Sequence, residues 1–366
     1  MPHSDERQNT GFFESRIHRR VFTKYAVALR AAALLREGDA ILIDAGTSLT
    51  PIAKIIGRIA DQPEQKWTHY TIMTHNNAAF DPLSNAPPNA RLNVFQTGGR
   101  YDRDLNASFG HQAEMAYLQY HPRWVFIGQN GIEADLGLFC HGNTEELALK
   151  REIFAMPAWG RVIVADFTKI GSPGGLVFGA SENLTTNVNV CVIVTDDPHD
   201  GQFRPPESQS TSYTSGRSPR TASENFENQV QLLKETYESC VLAVHFRVHN
   251  LTKKENGGNT SEIKYEDAGY VDPKSSEILR LNCQRVEGCY RIHLTKDDTT
   301  NKAPFKPEFD IATSLAYVDL EVKNDESIEV LQVELFWDDD GVPKLQREAG
   351  IPGLNGHENP YGFAGC

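Results

Sequence analysis

The chain has 366 residues, of which 39% are hydrophobic and 23% charged, and its formal net charge at pH 7 is −13. A chain of this length is typical of two domains, and its apolar content is sufficient for sizeable buried cores. The acidic balance argues against a broad nucleic-acid surface, because affinity for phosphate backbones depends largely on Lys and Arg. It still allows one small anionic ligand, since a local site can be positive on an acidic protein.

The N-terminal stretch MPHSDERQNTGFFESRIHRR contains no apolar run typical of a signal peptide, and no later segment approaches the ~20 apolar residues of a membrane span. We therefore expect a cytoplasmic protein without membrane association. Six cysteines are scattered without a CxxC pair, which predicts neither a disulfide framework nor a zinc knuckle. His245 and His249 have no third ligand nearby, so we expect neither a metal nor a cofactor.

We interpret residues 1–21 as an N-terminal arm and residues 22–248 as an α/β domain. In this domain, short apolar runs alternate with helix-period segments such as SLTPIAKIIGRIA and TEELALKREIFAM. Runs that are apolar throughout are typical of parallel strands buried on both faces. We predict a mostly parallel sheet with helices on both faces, whose strands are AILID, YTIMT, RLNVFQT, RWVFIG, RVIVAD and VCVIVTD.

The remainder of the chain differs from this domain in amino-acid composition and in hydrophobic pattern. Residues at about 198–223 are rich in Pro, Ser and Thr, which predicts a flexible excursion inside the α/β domain, after which QLLKETYESCVLAV completes its sheet with one more helix and strand. Residues 249–345 contain partly alternating segments such as SIEVLQVELFW, which predict a smaller antiparallel β-rich domain of the sandwich type. Residues 346–366 are dense in Gly and Pro and predict an irregular tail.

Small or polar residues follow five of the predicted strands. The carboxyl ends of the strands are where open α/β sheets bind ligands, so these segments are expected to converge on one crevice. They are residues 44–48, 74–76, 97–99, 128–131 and 166–169.

The first of these segments, DAGTS, joins a strand to a helix. Such a turn presents backbone N–H groups at the positive end of the helix, which favours an anion. Gly46 permits close backbone approach, and Thr47 and Ser48 add hydroxyl donors. An ordinary helix N-cap explains the same residues when the turn is taken alone.

Two lysines can each be interpreted either as a surface residue or as part of the ligand site. Glu146 and Lys150 share a helix face, which is compatible either with a surface ion pair or with a ligand contact. Lys169, which follows a strand, is either a solvated loop residue or a second cation at the crevice.

Seven motifs follow one another along the α/β domain: YAVALRAAALLREGDAILIDAGTS, IMTHNNAAF, FQTGGRYDRDLNASFG, WVFIGQNGIEADLGLF, EELALKREIF, VIVADFTKIG and VCVIVTDD. In this order they resemble the C-terminal sensor domain of DeoR-type sugar-responsive repressors. The resemblance covers roughly residues 22–197 and extends to about 248. It implies a fold shared with ribose-5-phosphate isomerase and glucosamine-6-phosphate deaminase, a phosphorylated metabolite in the strand-end crevice, and self-association.

The resemblance also assigns the residues that bind the metabolite. Ser48 replaces a Thr of the family pattern but keeps a hydroxyl, and His75 precedes Asn76 where the family has Thr-Asn directly. The implied ligand-binding residues are Asp44, Gly46, Thr47, Ser48, Thr74, Asn76, Gly98, Gly99, Gly128, Gly131, Glu146, Lys150 and Lys169.

The chain departs from the repressors at both ends. They carry a helix-turn-helix domain ahead of the sensor, whereas about twenty residues precede the matching region here, and the β-rich segment matches no family. We therefore expect a ligand receptor that acts through a protein partner of the β-rich domain and not through nucleic acid.

Two alternatives are an enzyme and a scaffold. An isomerase or deaminase would use Glu146 or Asp166 as a base, and Lys150 or Lys169 to stabilise an oxyanion. A scaffold would have lost ligand binding and act through protein contacts alone.

Overall fold

A computed structural model describes residues 12–17, 19–60, 69–196, 228–233, 240–244, 270–271, 278–286, 289–297, 314–322 and 328–335. The predicted excursion, His245 and His249, and the predicted C-terminal tail lie outside these residues.

The centre of the fold is a seven-stranded sheet with the order β12-β11-β9-β6-β1-β2-β3. Every neighbouring pair in it is parallel, which confirms the prediction from the apolar runs. The strand that follows the predicted excursion pairs with β11 and so completes this sheet, as expected. The strands are β1 Ala40–Ile43, β2 His69–Thr74, β3 Arg91–Gln96, β6 Trp124–Gly128, β9 Ala158–Val164, β11 Val188–Asp196 and β12 Cys240–Val244.

Helices cover both faces of this sheet, as predicted. Ile41 and Ile43 of β1 point into one core, with α2, α3 and α4, whereas Leu42 points into the other, with α5 and α6. This alternation follows from the two-residue period of a strand, and it requires β1 to be apolar on both sides. The helices are α1 Phe12–Ile17, α2 Val21–Ala32, α3 Thr50–Ile59, α4 Asn77–Ser84, α5 His111–Leu118 and α6 Thr144–Ala155.

Two small antiparallel sheets lie in the connections between the strands of the main sheet. Their order is β10-β8-β7 in one and β4-β5 in the other. Their strands are β4 Arg100–Asp102, β5 Ala107–Phe109, β7 Gly131–Glu133, β8 Gly137–Cys140 and β10 Leu176–Gly179.

The C-terminal region forms a five-stranded antiparallel sheet in the order β13-β14-β15-β16-β17. This confirms the β-rich character expected from the sequence; among the described residues of this region there is one sheet, and a second layer of a sandwich is not among them. The strands are β13 Tyr270–Val271, β14 Ile278–Val286, β15 Cys289–Asp297, β16 Ser314–Val322 and β17 Ile328–Leu335.

The C-terminal sheet packs against the outer side of α3. Val318, Leu320, Val330 and Val333 are buried in the same apolar core as the side chains of α2 and α3. At the C-terminal end of α3, Arg58 Nε donates to the backbone carbonyl of Val330 at 2.7 Å. The two parts of the chain therefore share one core, with α3 between the two sheets.

The order of the strands fixes where a ligand can bind. The chain passes from β1 outward to β2 and β3, then returns to the other side of β1 with β6. After β1 the chain continues to β2 on one side of the sheet, and after β6 it continues to β9 on the other side. Such a switch point leaves a crevice beyond the carboxyl ends of β1 and β6. Within the described ranges, no helix combines the length and apolar character that a membrane span requires.

Candidate functional site

Beneath the crevice, an ion pair between Asp44, which follows β1, and Lys150 of α6 forms the switch-point floor. Lys150 Nζ lies 2.5 Å from Asp44 Oδ2, and both side chains are almost entirely buried. The Gly128 N–H donates to the same oxygen at 3.1 Å, and the Ala45 N–H donates to Oδ1 at 2.7 Å. Lys150 Nζ also donates to the Gly128 carbonyl at 2.7 Å. This network joins β1, β6 and α6 at the switch point.

His75 lies beside this pair without adding charge to it. Its Nε2 is 3.4 Å from Asp44 Oδ1, and its Nδ1 is 2.6 Å from the Tyr117 hydroxyl. Burial lowers the pKa of His75 to about 4, although the Asp44 carboxylate acts in the opposite direction. The imidazole is therefore neutral at physiological pH, and the carboxylate is paired with Lys150.

Above the floor, the turn from β1 to α3 presents three consecutive backbone N–H groups. Thr47 and Ser48 are each 4% exposed, and both line a cavity together with Gly46. Within the part of the chain that the structure describes, the N–H groups of residues 46–48 donate to no acceptor. Gly46 has φ +139°, a conformation that an L side chain would strain.

Lys169 contributes a cation beside this turn. Its Nζ donates to Ser48 Oγ at 3.2 Å and lies 4.0 Å from Asp166 Oδ2. Burial lowers the pKa of Lys169, although the Asp166 carboxylate opposes that shift. The arrangement of N–H groups, hydroxyl and ammonium is complementary to an oxyanion.

The N-terminal arm covers the crevice. Phe13 of α1 is 6% exposed and faces the cavity, and Arg16 contacts the His141 ring and donates to Asn130 Oδ1 at 3.5 Å. Lys24 Nζ holds the end of α1 by donating to the Arg16 carbonyl at 2.5 Å.

The cavity that remains has a volume of about 30 Å³. On the same measure one water needs roughly 10–15 Å³. The covered cavity therefore accommodates only a few water molecules.

Seven of the predicted ligand-binding residues line this cavity. They come from three strand ends and from α6, which lie far apart in sequence. They are Gly46, Thr47, Ser48, Gly128, Glu146, Lys150 and Lys169.

The other six predicted residues do not line it, and several have structural partners. Thr74 Oγ1 donates to the Ile43 carbonyl at 2.6 Å, and Asn76 caps α4 while donating to the Asp44 carbonyl at 3.2 Å. Gly99 lies against the Phe109 carbonyl, where a Cβ atom would clash. The six are Asp44, Thr74, Asn76, Gly98, Gly99 and Gly131.

The two candidate bases are in different environments. Glu146 lines the cavity and accepts the His141 N–H at 3.2 Å, and burial raises the pKa of its carboxyl group. Asp166 lies outside the lining, where it accepts from the Thr168 N–H at 3.2 Å and pairs with Arg20 at 3.4 Å.

Several lining residues were not among the predicted ones. Gln129 and Asn130 lie within the Gly128–Gly131 strand end, so the sequence carried a signal for them. Phe13 and Arg16 belong to a short N-terminal helix with no strand end to mark them. The additional residues are Phe13, Arg16, Ala45, Asp104, Leu105, Gln129, Asn130 and His141.

Relatives of this chain are transcriptional regulators. It is 26% identical over 175 residues to transcriptional repressor AccR of Agrobacterium fabrum, covering 47% of this chain and 60% of that protein. It is 27% identical over 182 residues to the HTH-type transcriptional regulator GlpR of Haloferax volcanii, covering 50% and 63%. The chain spans 49% to 63% of the length of the curated relatives that it matches.

Among solved structures, ribose 5-phosphate isomerase from Plasmodium falciparum aligns with a TM-score of 0.29 and 12% identity, covering 41% of this chain and 52% of that one. A likeness at this level supports no inference about function.

The family model for the DeoR C-terminal sensor domain matches residues 20–196, the segment that supplies the whole switch-point floor, the anion-facing turn and Lys169. Residues 20–196 of this chain are therefore similar to the DeoR C-terminal sensor domain.

Proposed function

We propose that the α/β domain is a receptor for a phosphorylated sugar or a nucleotide-derived metabolite, bound in the switch-point cavity. The observation that carries the proposal is the run of three N–H groups at residues 46–48, which donate to no acceptor within the described ranges and lie next to the Lys169 ammonium. We further propose that occupancy is signalled through the C-terminal sheet to a protein partner and not by direct contact with DNA. The net charge of −13 supports that last part.

A phosphate group suits this corner of the cavity for electrostatic reasons. The N–H groups lie at the positive end of α3, and backbone donors at a helix N-terminus attract anions. Lys169 adds a full charge in a buried setting, where screening by water is weaker than at the surface. Lys150 supplies no comparable free charge, since Asp44 already neutralises it at 2.5 Å.

Two acidic residues of the lining suit hydroxyl groups. Glu146 and Asp104 line the cavity with carboxylate acceptors, and carboxylates near an anion are favourable only where the ligand offers donors to them. A compound that carries both a phosphate and hydroxyl groups satisfies both the turn with Lys169 and these two carboxylates.

Ligand binding requires the arm to move. A cavity of about 30 Å³ is far smaller than a sugar phosphate, and Phe13 of the arm is buried in its lining. The docked arm and the ligand therefore compete, which lowers the apparent affinity by the fraction of molecules with the arm displaced.

Helix α3 provides a physical connection to the C-terminal sheet. Its first turn follows the anion-facing residues, and Arg58 in its last turn contacts both Val330 and Glu329 of β17. A ligand that favours one position of α3 biases the contact at its other end.

Self-association, which the family resemblance implies, is part of the proposal. The edge strand β3 supports it, because Phe95 on that strand is 51% exposed.

The receptor is tested by thermal unfolding against sugar phosphates, nucleotides and ADP-ribose-like compounds. A ligand at 100 times its dissociation constant stabilises the fold by about 2.7 kcal/mol. Lys169→Ala should weaken binding by about 10- to 100-fold, because a charged hydrogen bond contributes roughly 1.5–3 kcal/mol. Lys150 is a poor test residue, since its removal leaves Asp44 buried without its partner.

Arg151→Ala, which removes an exposed cation on α6 outside the cavity lining, is the control and should bind like the wild type. The absence of a shift with every compound would contradict the receptor. Conversion of a bound compound, followed by phosphorus NMR, would favour the isomerase or deaminase alternative.

The affinity for the phosphate should fall at alkaline pH. Burial lowers the pKa of Lys169, so the ammonium loses its proton, and with it the attraction for the anion, at a lower pH than an ordinary lysine does. Titrations above pH 7, where the phosphate is already dianionic with its second pKa near 6, isolate this step. Lys169→Arg should abolish the decline because arginine stays protonated, and an identical decline in both proteins would exclude Lys169 as its origin.

Phe13→Ala should tighten ligand binding by about tenfold. A buried Phe contributes roughly 1.5–3 kcal/mol, and its loss weakens the docked arm that the ligand must displace. Leu118→Ala is the control, since Leu118 is 62% exposed and lies outside both the arm and the cavity lining. Trypsin cleavage at Arg16, Arg19 and Arg20 should accelerate when ligand binds. Weaker binding by Phe13→Ala would mean that Phe13 belongs to the site and does not cover it.

The connection through α3 is tested by hydrogen exchange at residues 328–335. Ligand should change the exchange rates there in the wild type, and Arg58→Ala should remove the change while leaving affinity within about twofold, because Arg58 does not line the cavity. Arg151→Ala again serves as the control. A change of the same size in Arg58→Ala would rule out this contact as the route.

A further inference from the structure

A second cavity lies at the junction between the α/β domain and the C-terminal sheet. Its volume is about 550 Å³, within the range of roughly 300–1,000 Å³ that is typical of small-molecule sites. Its lining comes from α3, from α4 and the residues that follow it, and from the start of β17. It shares no lining residue with the switch-point cavity, and β17 lies outside residues 20–196. The second cavity is therefore completed by a part of the chain that the sensor-domain model does not match.

One side of the second cavity is cationic. Lys54 and Arg58 are four residues apart on α3, so they project from the same face of that helix. Gly57 also lines the cavity, and a Cβ atom there would lie 3.3 Å from the Pro82 carbonyl oxygen. The glycine therefore lets α3 and α4 approach closely, and it adds no side chain to the space beside the two cations.

Glu329 only partly neutralises these cations. Arg58 Nη2 lies 3.7 Å from Glu329 Oε1, which is too long for a hydrogen bond, and the two side chains are 30% and 39% exposed. Arg58 Nε donates to the Val330 carbonyl at 2.7 Å, which fixes the guanidinium in place. Burial lowers the pKa of Lys54, although the Glu329 carboxylate opposes that shift. Among the described lining residues two cations thus accompany one carboxylate, and an added anion would offset the cost of burying the Lys54 charge.

The part of the lining that follows α3 in the chain is apolar and poor in donors. Proline has no backbone N–H, and Nδ2 of Asn85, a polar residue of this part, already donates to the Asp81 carbonyl at 2.9 Å. A polyhydroxylated ligand would leave its hydroxyl groups against carbon, whereas a hydrocarbon body gains by leaving water. The apolar residues in this part of the lining are Pro82, Ala86, Pro87 and Pro88.

We propose that the second cavity binds a small organic acid, with its carboxylate beside Lys54 and Arg58 and its apolar body against the prolines. The planar guanidinium of Arg58 suits a carboxylate, which can accept two parallel hydrogen bonds from it. Such a ligand contacts α3 and β17 together, and so it stabilises the docking of the C-terminal sheet. The site does not require the receptor proposed above, because the two cavities have no residue in common.

The test is an NMR titration of the full chain with phenylacetate, its neutral amide phenylacetamide, and acetate. Phenylacetate should bind about tenfold more tightly than phenylacetamide, because the amide forms no charged hydrogen bond with the two cations. It should also bind about tenfold more tightly than acetate, which has no apolar body to cover the prolines.

Two substitutions should change the affinity for phenylacetate in opposite directions. Lys54→Gln removes a cation and should weaken binding about tenfold, whereas Glu329→Gln removes the competing carboxylate and should tighten it about threefold. Arg151→Gln, which removes an exposed cation of α6 outside both cavities, is the control and should bind like the wild type. If one of the first two variants does not fold, the other still tests the site.

Several results would overturn the proposal. Equal affinity for phenylacetate and its amide would mean that the cations make no contact, and equal affinity for phenylacetate and acetate would mean the same of the prolines. Binding that is unchanged in Lys54→Gln, or weakened in Lys169→Ala instead, would place the probe outside the second cavity. A wild type that does not bind phenylacetate would also refute the organic-acid site, and it would leave the receptor at the switch-point cavity unaffected.

Discussion

The ion pair between Asp44 and Lys150 holds together the elements from which the site is built. Removing two charges from water costs several kcal/mol per ion, and only good geometry with further hydrogen bonds offsets that cost. The structure meets this condition, since the carboxylate accepts two backbone N–H groups and the ammonium donates to a carbonyl. Because those backbone groups belong to the ends of β1 and β6, the pair fixes the two loops that meet at the switch point.

The same pair explains how an acidic protein can hold an anion-facing corner. Lys150 and Asp44 neutralise each other, so the remaining positive character at the cavity comes from Lys169 and the N–H groups of the turn. Asp166 lies 4.0 Å from Lys169 and is itself paired with Arg20, which leaves the ammonium directed at Ser48. The local field therefore depends on which carboxylate each cation contacts, and the net charge of the chain does not determine it.

The sequence predicted the main sheet because its strands are apolar on both faces, a pattern that parallel burial requires. It predicted the crevice because parallel strands end at one edge. It could not separate Thr74 and Asn76 from Ser48, since a polar residue at a strand end serves equally well as a helix cap or as a ligand contact. In the structure, Thr74 and Asn76 make hydrogen bonds within the protein, whereas Ser48 lines the cavity.

Residues beyond the strand ends were harder to predict. The helix FFESRI is too short for a periodic signal, so nothing in it indicated that Phe13 would cover the crevice. The position of the C-terminal sheet on α3 depends on buried valines and a leucine whose partners lie more than 200 residues earlier in the chain. Among the described residues the buried Gln129 amide has no hydrogen-bond partner, and no sequence pattern reports such an absence.

The docked arm makes the apparent affinity for the proposed ligand lower than the intrinsic affinity of the cavity. If the arm covers the cavity in 99% of molecules, the apparent dissociation constant is about 100 times the intrinsic one. By reciprocity, a bound ligand weakens the docking of the arm by the same factor that the arm weakens the ligand. Since α1 and the turn line one cavity and α3 begins after the turn, ligand binding at the proposed site would act on the N-terminal arm and on the helix that carries the C-terminal sheet. A contact that stabilises the docked arm, such as the hydrogen bond from Lys24 to the end of α1, therefore raises the ligand concentration at which the arm and α3 would respond.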